Sequence, residues 1–295
     1  MQGQNMNKLG RTFHVSLVER AEKKYKRWLD VIMRRIKRTI TNTAYYDELV
    51  AKLYELSASK QFRTLCRQAA RQTATFLAVG QQQTWRQAAS ASGQGRRIFQ
   101  ALQKEIKTTQ IGDTIKRIID ENAQLIRTVP EKMATEFSRM SAENQYAGKR
   151  PDQLLQIFKE KAPHLTDVEA RRIARTETGK AATALIEARA EKLGLGLYIW
   201  RTAKDQRVRD SHLYMDGVIC AWNDPPNPEK LSGQSRSYGN YHPSGIFNCR
   251  CYPEVVVNPN KIHFPASAHY QGTITVVKNL QELYSLYGKT AAQYQ

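Results

Sequence analysis

The sequence has no run approaching the ~18 uninterrupted apolar residues of a membrane span. Its first residues, MQGQNMNKLGRTFHV, hold no apolar stretch that could act as a signal h-region. These absences predict a protein that does not enter a membrane and stays in a reducing compartment, where thiols are not paired into disulfides. Cysteines are few, four in 295 residues. Cys66 stands alone, and Cys249 and Cys251 are too close in sequence for an easy mutual bridge. No internal repeat recurs at a fixed period, and strand-like runs are nearly absent before residue 195. Also missing are a Ser nucleophile elbow, a phosphate loop and a His-Glu-x-x-His motif. Acidic residues are scarce too, 27 against 46 Lys and Arg, which leaves a net charge of +19.

That charge is uneven. Residues 1–150 carry 28 basic and 13 acidic side chains, residues 151–295 carry 18 and 14. A basic first half suits a polyanionic partner, most simply nucleic acid. Its periodicity is helical. From Val18 to Ile40, apolar residues recur at Ala21, Tyr25, Trp28, Leu29, Ile32, Ile36 and Ile40, one buried stripe. The opposite face carries Lys23, Lys24, Arg27, Arg34, Lys37 and Arg38, a candidate nucleic-acid-binding face, although such a face is more often just solvated. A second stripe runs Phe62, Leu65, Cys66, Ala69, Thr73, Phe76 and Leu77, and places Cys66 in the core as a structural thiol. Residues 81–97, rich in Gln, Ala, Ser and Gly, read as a linker or a loose helix-breaking stretch. A third stripe runs Ile111, Ile115, Ile118, Ile119, Leu125 and Ile126, and Pro130 opens a further helix.

Residues 147–152 carry the turn chemistry of a boundary. A short helix is expected over Gln153–Lys161. Thr166 with Glu169 reads as a capping box opening a long helix that stops at Gly194. After that the pattern changes to a small α+β module with a minimal sheet. Leu197–Trp200 is a β-prone run, a short helix is expected over Val208–Tyr214, and Asp216-Gly217 is a turn. Val218-Ile219 reads as a brief strand, and the segment from Asn248 ends in a strand, Glu254–Val257, pairing with 197–202. Residues 223–245 form a long irregular loop that needs pinning. The tail after residue 258 holds a strand, Thr273–Lys278, and a helix, Leu280–Leu286. The fold class is therefore α+β, predominantly helical. Three parts are expected: a basic helical region (1–150), the module (151–257) and a tail (258–295).

The module concentrates the chemistry. His212, His242, Cys249 and Cys251 offer two imidazoles and two thiolates, a donor set for zinc, with Cys220 as a spare. On an extended chain, Cys249 and Cys251 would point to one face. Against zinc, their spacing is tighter than usual, and buried thiols beside a hydrogen-bonded histidine would explain the same residues. Glu177, Asp205, His212 and His242 could instead make an acid–base or nuclease-like site, although a single carboxylate such as Glu177 on a helix is more often an ion-pair partner.

The order of residues carries a resemblance. Ala174-Arg175-Thr176-Glu177 on a helix is followed by the Trp200 strand and Asp205-x-Arg207. The Gly217 turn, His242-Pro243 and Asn248-Cys249-Arg250-Cys251 complete the series. Over about residues 150–257 this resembles the phage head-morphogenesis family of minor head proteins, the Mu F-like family. The resemblance implies a minor component of a tailed-phage or prophage head, linked to the portal or major capsid protein and to DNA without sequence preference. Several copies per head would act in assembly or DNA delivery without catalytic turnover. The place implied is the virion, inside the capsid or at the portal vertex, and the host cytoplasm during assembly. Two departures stand out. Many relatives carry Cys-x-x-Cys just after Asp-x-Arg, where this chain has Arg209 and His212. Ser244–Phe247 also separate His242-Pro243 from the Cys-x-Cys. The alternatives are a metal-dependent or acid–base nuclease and a DNA-binding regulator, although no recognition-helix pattern is present.

Overall fold

A computed structural model describes residues 2–90, 109–145 and 150–290, with side chains from residue 15 onward outside a few helix-end positions. The fold is predominantly helical α+β, as the sequence predicts. The helices are α1 (Gln2–Asn42), α2 (Glu48–Ala58), α3 (Lys60–Ser90), α4 (Thr109–Arg127), α5 (Val129–Gln145) and α6 (Pro151–Leu193). Then follow β1 (Leu197–Arg201), α7 (Asp210–Tyr214), β2 (Ile219–Ala221), α8 (Pro228–Leu231), β3 (Tyr252–Val255), β4 (Ala266–Tyr270), β5 (Thr273–Val277) and α9 (Leu280–Tyr287). Among the described residues, no helix is long and apolar enough to cross a membrane.

The chain divides into two compact units. One consists of Arg20–Phe76 and Lys116–Thr178, and its regular elements among the described residues are all helices. Its core follows the stripes: Tyr25, Leu29, Ile32 and Ile36 of α1 meet Leu49 and Leu53 of α2, Phe62 and Cys66 of α3, Phe137 of α5 and Phe158 of α6. Phe137 stacks obliquely on both Tyr46 and Phe158, with centroids 5.1 and 5.0 Å away. Burial pushes the Cys66 thiol up to about 12, consistent with an inert structural cysteine.

Two expectations about helix ends are overturned. α6 does not break after Lys161 but continues through Pro163. Thr166, expected as a cap, is buried inside the helix, and its hydroxyl donates to the carbonyls of Ala162 and Pro163. Glu169 pairs with Arg172 and Lys132 instead of closing a capping box. Proline lacks an N–H but already has helical φ, and Phe158, Ala162 and Ala170 are buried in the core on both sides of it. Packing here outweighs the local stop signal. The expected linker also fails over its first ten residues, because α3 runs to Ser90. Residues 91–97 lie outside the described residues.

The other unit comprises the first residues to Glu19, Leu77–Ile115 and Gly179 onward. Within it, the buried Gln81 amide donates to Ala182 O and accepts from buried Arg189, whose guanidinium also donates to Ala78 O. Gln81 is therefore a buried partner rather than linker polarity. The five-stranded sheet has the order β3-β1-β2-β4-β5. β1 pairs antiparallel with both β2 and β3, β2 pairs parallel with β4, and β4 forms a hairpin with β5. The expected pairing of the two module strands is present, with Ile199 opposite Glu254 and Trp200 opposite Pro253. The chain after residue 257, expected as a tail, supplies two strands of this sheet and the helix that covers it. Tyr287 of α9 donates its hydroxyl to both Ile219 O and His269 O, bridging β2 and β4.

Side-chain alternation sorts the sheet into two faces. Leu197, Ile219, Ala221 and Ala268 pack with Leu283 and Tyr287 of α9. Tyr198, Trp200 and Cys220 face the other way, among Ile186, Ala190 and Leu193 of α6 and Tyr241, Ile246, Cys249 and Cys251 from the long loop. The candidate site lies in this second layer.

Candidate functional site

His212 stands in the middle of α7, only 1% exposed. The residues before it are held by a turn: Asp205 accepts the Arg207 N–H and pairs with Arg250 through both guanidinium nitrogens, at 2.5 and 2.6 Å. The Asp-x-Arg motif is thus tied directly to the middle residue of Cys249-Arg250-Cys251. The Arg250 guanidinium holds the Asp205 carboxyl below the usual carboxylate range. After α7, Gly217 has φ +91, which a Cβ would disfavour, and its N–H returns to Trp200 O. Asp216 accepts from the backbone and hydroxyl of Thr202, so the Asp-Gly turn closes onto the end of β1.

The His-Pro loop is fastened to α6. Thr183 donates its hydroxyl to Pro243 O, and a Cβ on Gly179 would meet Ser244 Oγ at 2.9 Å. Only glycine allows that approach without a shift. Ser244 in turn donates to Cys251 O. Ser244–Phe247, the residues that separate His-Pro from Cys-x-Cys, therefore form the turn that seats the cysteines.

Cys249 and Cys251 lie in an irregular segment just before β3 rather than within a strand, and both sulfurs still reach one imidazole. His212 Nδ1 lies 3.4 Å from Cys249 Sγ and 3.3 Å from Cys251 Sγ. The Cys251 N–H also donates to Cys249 Sγ. On the far side of the ring, His212 Nε2 lies 3.0 Å from Tyr241 Oη, whose hydroxyl donates to Glu229 Oε1 at 2.7 Å. Ser211 donates to the same carboxylate oxygen. Trp200 stands edge-on to His212, with its indole N–H buried and lacking a hydrogen-bond partner. The neighbouring Cys251 thiol holds Cys249 well below the usual thiol range, and Cys249 together with burial pushes Cys251 up.

His242 is not in this cluster. Its Nδ1 meets Tyr198 Oη at 3.0 Å, its Nε2 lies 3.6 Å from Glu187, and its ring packs on Trp222. Burial lowers its pKa to about 4, so the ring is neutral. The four expected zinc donors thus separate into a trio, His212, Cys249 and Cys251, and an independent histidine. Cys220, the spare donor, bonds weakly to Val218 O. The acid–base set is divided as well: Asp205 is in an ion pair, His212 is among thiols, His242 is against Tyr198, and Glu177 belongs to the helical unit. Arg175, beside it, pairs with Glu22. Tyr241 and Glu229 escaped sequence reasoning. The one signal was Tyr241 adjoining His242-Pro243, and nothing in a Pro-Glu-Lys triplet announces a buried carboxylate.

The basic face of α1 holds a groove of about 650 Å³ in the helical unit. Arg34 and Arg38 line it, joined by Arg35 and by Lys52 of α2, which the α1 periodicity could not supply. Arg35 donates to Gln61, and Lys52 pairs with Glu48. Lys23 and Arg27 are exposed elsewhere on the helix, Lys37 is half-buried, and Lys24 lies over the Phe76 ring at 4.9 Å.

Comparison with known proteins places these features. An uncharacterized protein of Haemophilus influenzae is 28% identical over 151 residues, which cover 51% of this chain and 31% of that relative. The matched stretch thus spans about a third of the relative's length. No solved structure matches. Residues 94–253 match the family described as Phage Mu protein F like protein. That span begins well before residue 150 and takes in every motif from Arg175 to Cys251. Covering more than half of the sequence, it shows that the chain belongs to the Phage Mu protein F like family.

Proposed function

We propose that the protein is a minor head protein of a tailed phage or prophage, acting in head assembly and in DNA packaging or delivery. The family match over residues 94–253 carries this reading. The protein docks on portal or major capsid subunits, in several copies per head, and holds DNA without sequence preference. It resides in the capsid interior or at the portal vertex, after assembly in the host cytoplasm. Its role is structural rather than catalytic. In support, the residues that could have formed a nuclease site are engaged in separate contacts: Asp205 with Arg250, His242 with Tyr198, and His212 with two cysteines.

DNA is held through the α1 groove, where Arg34 and Arg38 form no ion pair among the described residues. A binding titration of the full chain on mixed-sequence duplex across a salt series tests this. Each phosphate contact contributes about −0.9 to the slope of log K against log salt. Arg34→Ala with Arg38→Ala is expected to flatten the slope by up to about 1.8, equally on unrelated sequences. An unchanged slope removes the groove from the DNA-binding surface, and no binding by the parent chain removes DNA as a direct partner.

A further inference from the structure

We propose that His212 Nδ1 and the sulfurs of Cys249 and Cys251 are ligands of a structural zinc ion that pins the long loop to α7. The argument starts from hydrogen-bond direction. Glu229 is buried, 1% exposed, and accepts from Ser211 and Tyr241. The single hydroxyl proton of Tyr241 is given to that carboxylate, so toward His212 the tyrosine oxygen can only accept. His212 therefore carries a proton on Nε2, and in the neutral ring the lone pair sits on Nδ1. That lone pair faces two thiols at once. A carboxylate acting through a hydroxyl to fix the ring tautomer is the outer-shell arrangement that orients and strengthens a ligating histidine.

The distances fit. Zinc bonds nitrogen at about 2.0–2.1 Å and thiolate sulfur at about 2.3 Å in a tetrahedron, which puts N and S roughly 3.6 Å apart. The observed separations of 3.4 and 3.3 Å need only a few tenths of an ångström of opening. All three donor atoms lie within 4.8 Å of one another. On the sulfur side, Cys249 Sγ accepts the Cys251 N–H, a contact that suits a thiolate. Thiolates at both positions require a cation. The only basic group paired with Glu229 among the described residues is His212, at 4.0 Å. A dication bound to two thiolates and a neutral imidazole satisfies the trio. Among the described residues no further His, Cys, Asp or Glu donor joins the group, so these three side chains supply the protein ligands.

The ligands also join what needs joining. His212 comes from α7, and the cysteines close an irregular stretch from Ser232 to Cys251 that lacks helix or strand. Such a stretch stays folded inside a compact unit when something fastens its end to a regular element.

The test uses the full, tag-free chain prepared without chelator. Elemental analysis is expected to give about one zinc per chain, removed by chelator with a fall in Tm, because the ion binds the folded state alone. Cobalt loaded into the stripped protein is expected to show thiolate charge-transfer bands and the ligand-field bands of a tetrahedral site. Cys251→Ser and His212→Gln are expected to lose the metal, and His242→Gln to keep it. The cobalt spectrum of the unmutated chain stands even if a ligand variant fails to fold. A metal-free parent chain that takes up no cobalt overturns the proposal. So does a Cys249–Cys251 disulfide in the native protein, or metal retained by Cys251→Ser.

Discussion

The two units bury polarity in opposite ways. In the helical unit a continuous apolar cluster forms the core, buried hydroxyls such as Thr43, Ser57 and Thr166 bond one by one to nearby carbonyls, and the charged groups pair around it, as in Lys26–Asp167, Lys132–Glu169 and Arg139–Glu136. In the sheet unit a glutamate, a histidine, a tyrosine hydroxyl and two thiols are enclosed together, and a buried arginine donates to a buried glutamine. The first design depends chiefly on the shape of its apolar side chains. The second depends on the donor count of each atom, because an unpaired buried group costs about 1–3 kcal/mol. The helical unit is thus a packing device and the sheet unit a polar assembly that positions loops.

The largest expected effect lies in the helical core. Phe158 is fully buried and stacks on Phe137. Phe158→Ala should cost about 3–5 kcal/mol, the usual penalty for an aromatic cavity that cannot collapse. Urea unfolding followed by circular dichroism measures it. A cost below about 1 kcal/mol would mean that this unit repacks freely, and the contrast between the units would lose its basis.

That contrast also governs what could be read in advance. Tyr25, Leu29, Ile32, Ile36 and Ile40 announced their helix and its buried face because a helical period records burial in the sequence itself. The β1–β3 pairing and the Thr273 strand were legible for the same reason, through β-branched and aromatic runs. Pro163 and Thr166 misled because stop and cap signals are local, whereas α6 is held by core residues on both sides of the proline. His212, Cys249 and Cys251 could be picked out by residue type, but their grouping without His242 could not. Which histidine meets the sulfurs depends on α7 and on the Ser244 turn against Gly179, contacts that carry no period. Tyr241 and Glu229 stayed hidden because burial of a polar residue leaves no mark in a loop sequence.

A middle-sized effect is expected from His242, which is enclosed by Tyr198, Trp222 and Glu187. Burial lowers its folded pKa from 6.5 to about 4. A depressed pKa means that the unfolded chain binds the proton first as pH falls. The contribution is therefore complete above about 6.5 and is lost progressively as pH drops toward 4. Each unit of difference is worth about 1.4 kcal/mol, so the loss should be a few kcal/mol over that window. Melts at stepped pH should show a slope in the parent chain that His242→Gln flattens. Equal slopes in the two proteins would place this histidine outside the buried polar assembly.

The smallest effect is expected where the sheet unit uses an ion pair at its surface. Arg250 and Asp205 are about a third exposed, with side-chain exposures of 29% and 36%. Their bidentate geometry joins the turn before α7 to the cysteine segment, yet solvent screening limits a pair of this kind to roughly 0.2–1 kcal/mol. A double-mutant cycle with Asp205→Asn and Arg250→Gln should give a coupling in that range, shrinking as salt is raised. Because Arg250 depresses the Asp205 pKa, the coupling is present above the unfolded aspartate value and fades as pH falls through the folded one. A coupling well above 1 kcal/mol that ignores salt would show that the pair behaves as part of the enclosed network. The boundary of the polar assembly would then run through Asp205, and the Asp-x-Arg motif would belong to the set of residues that fixes His212 against the two sulfurs.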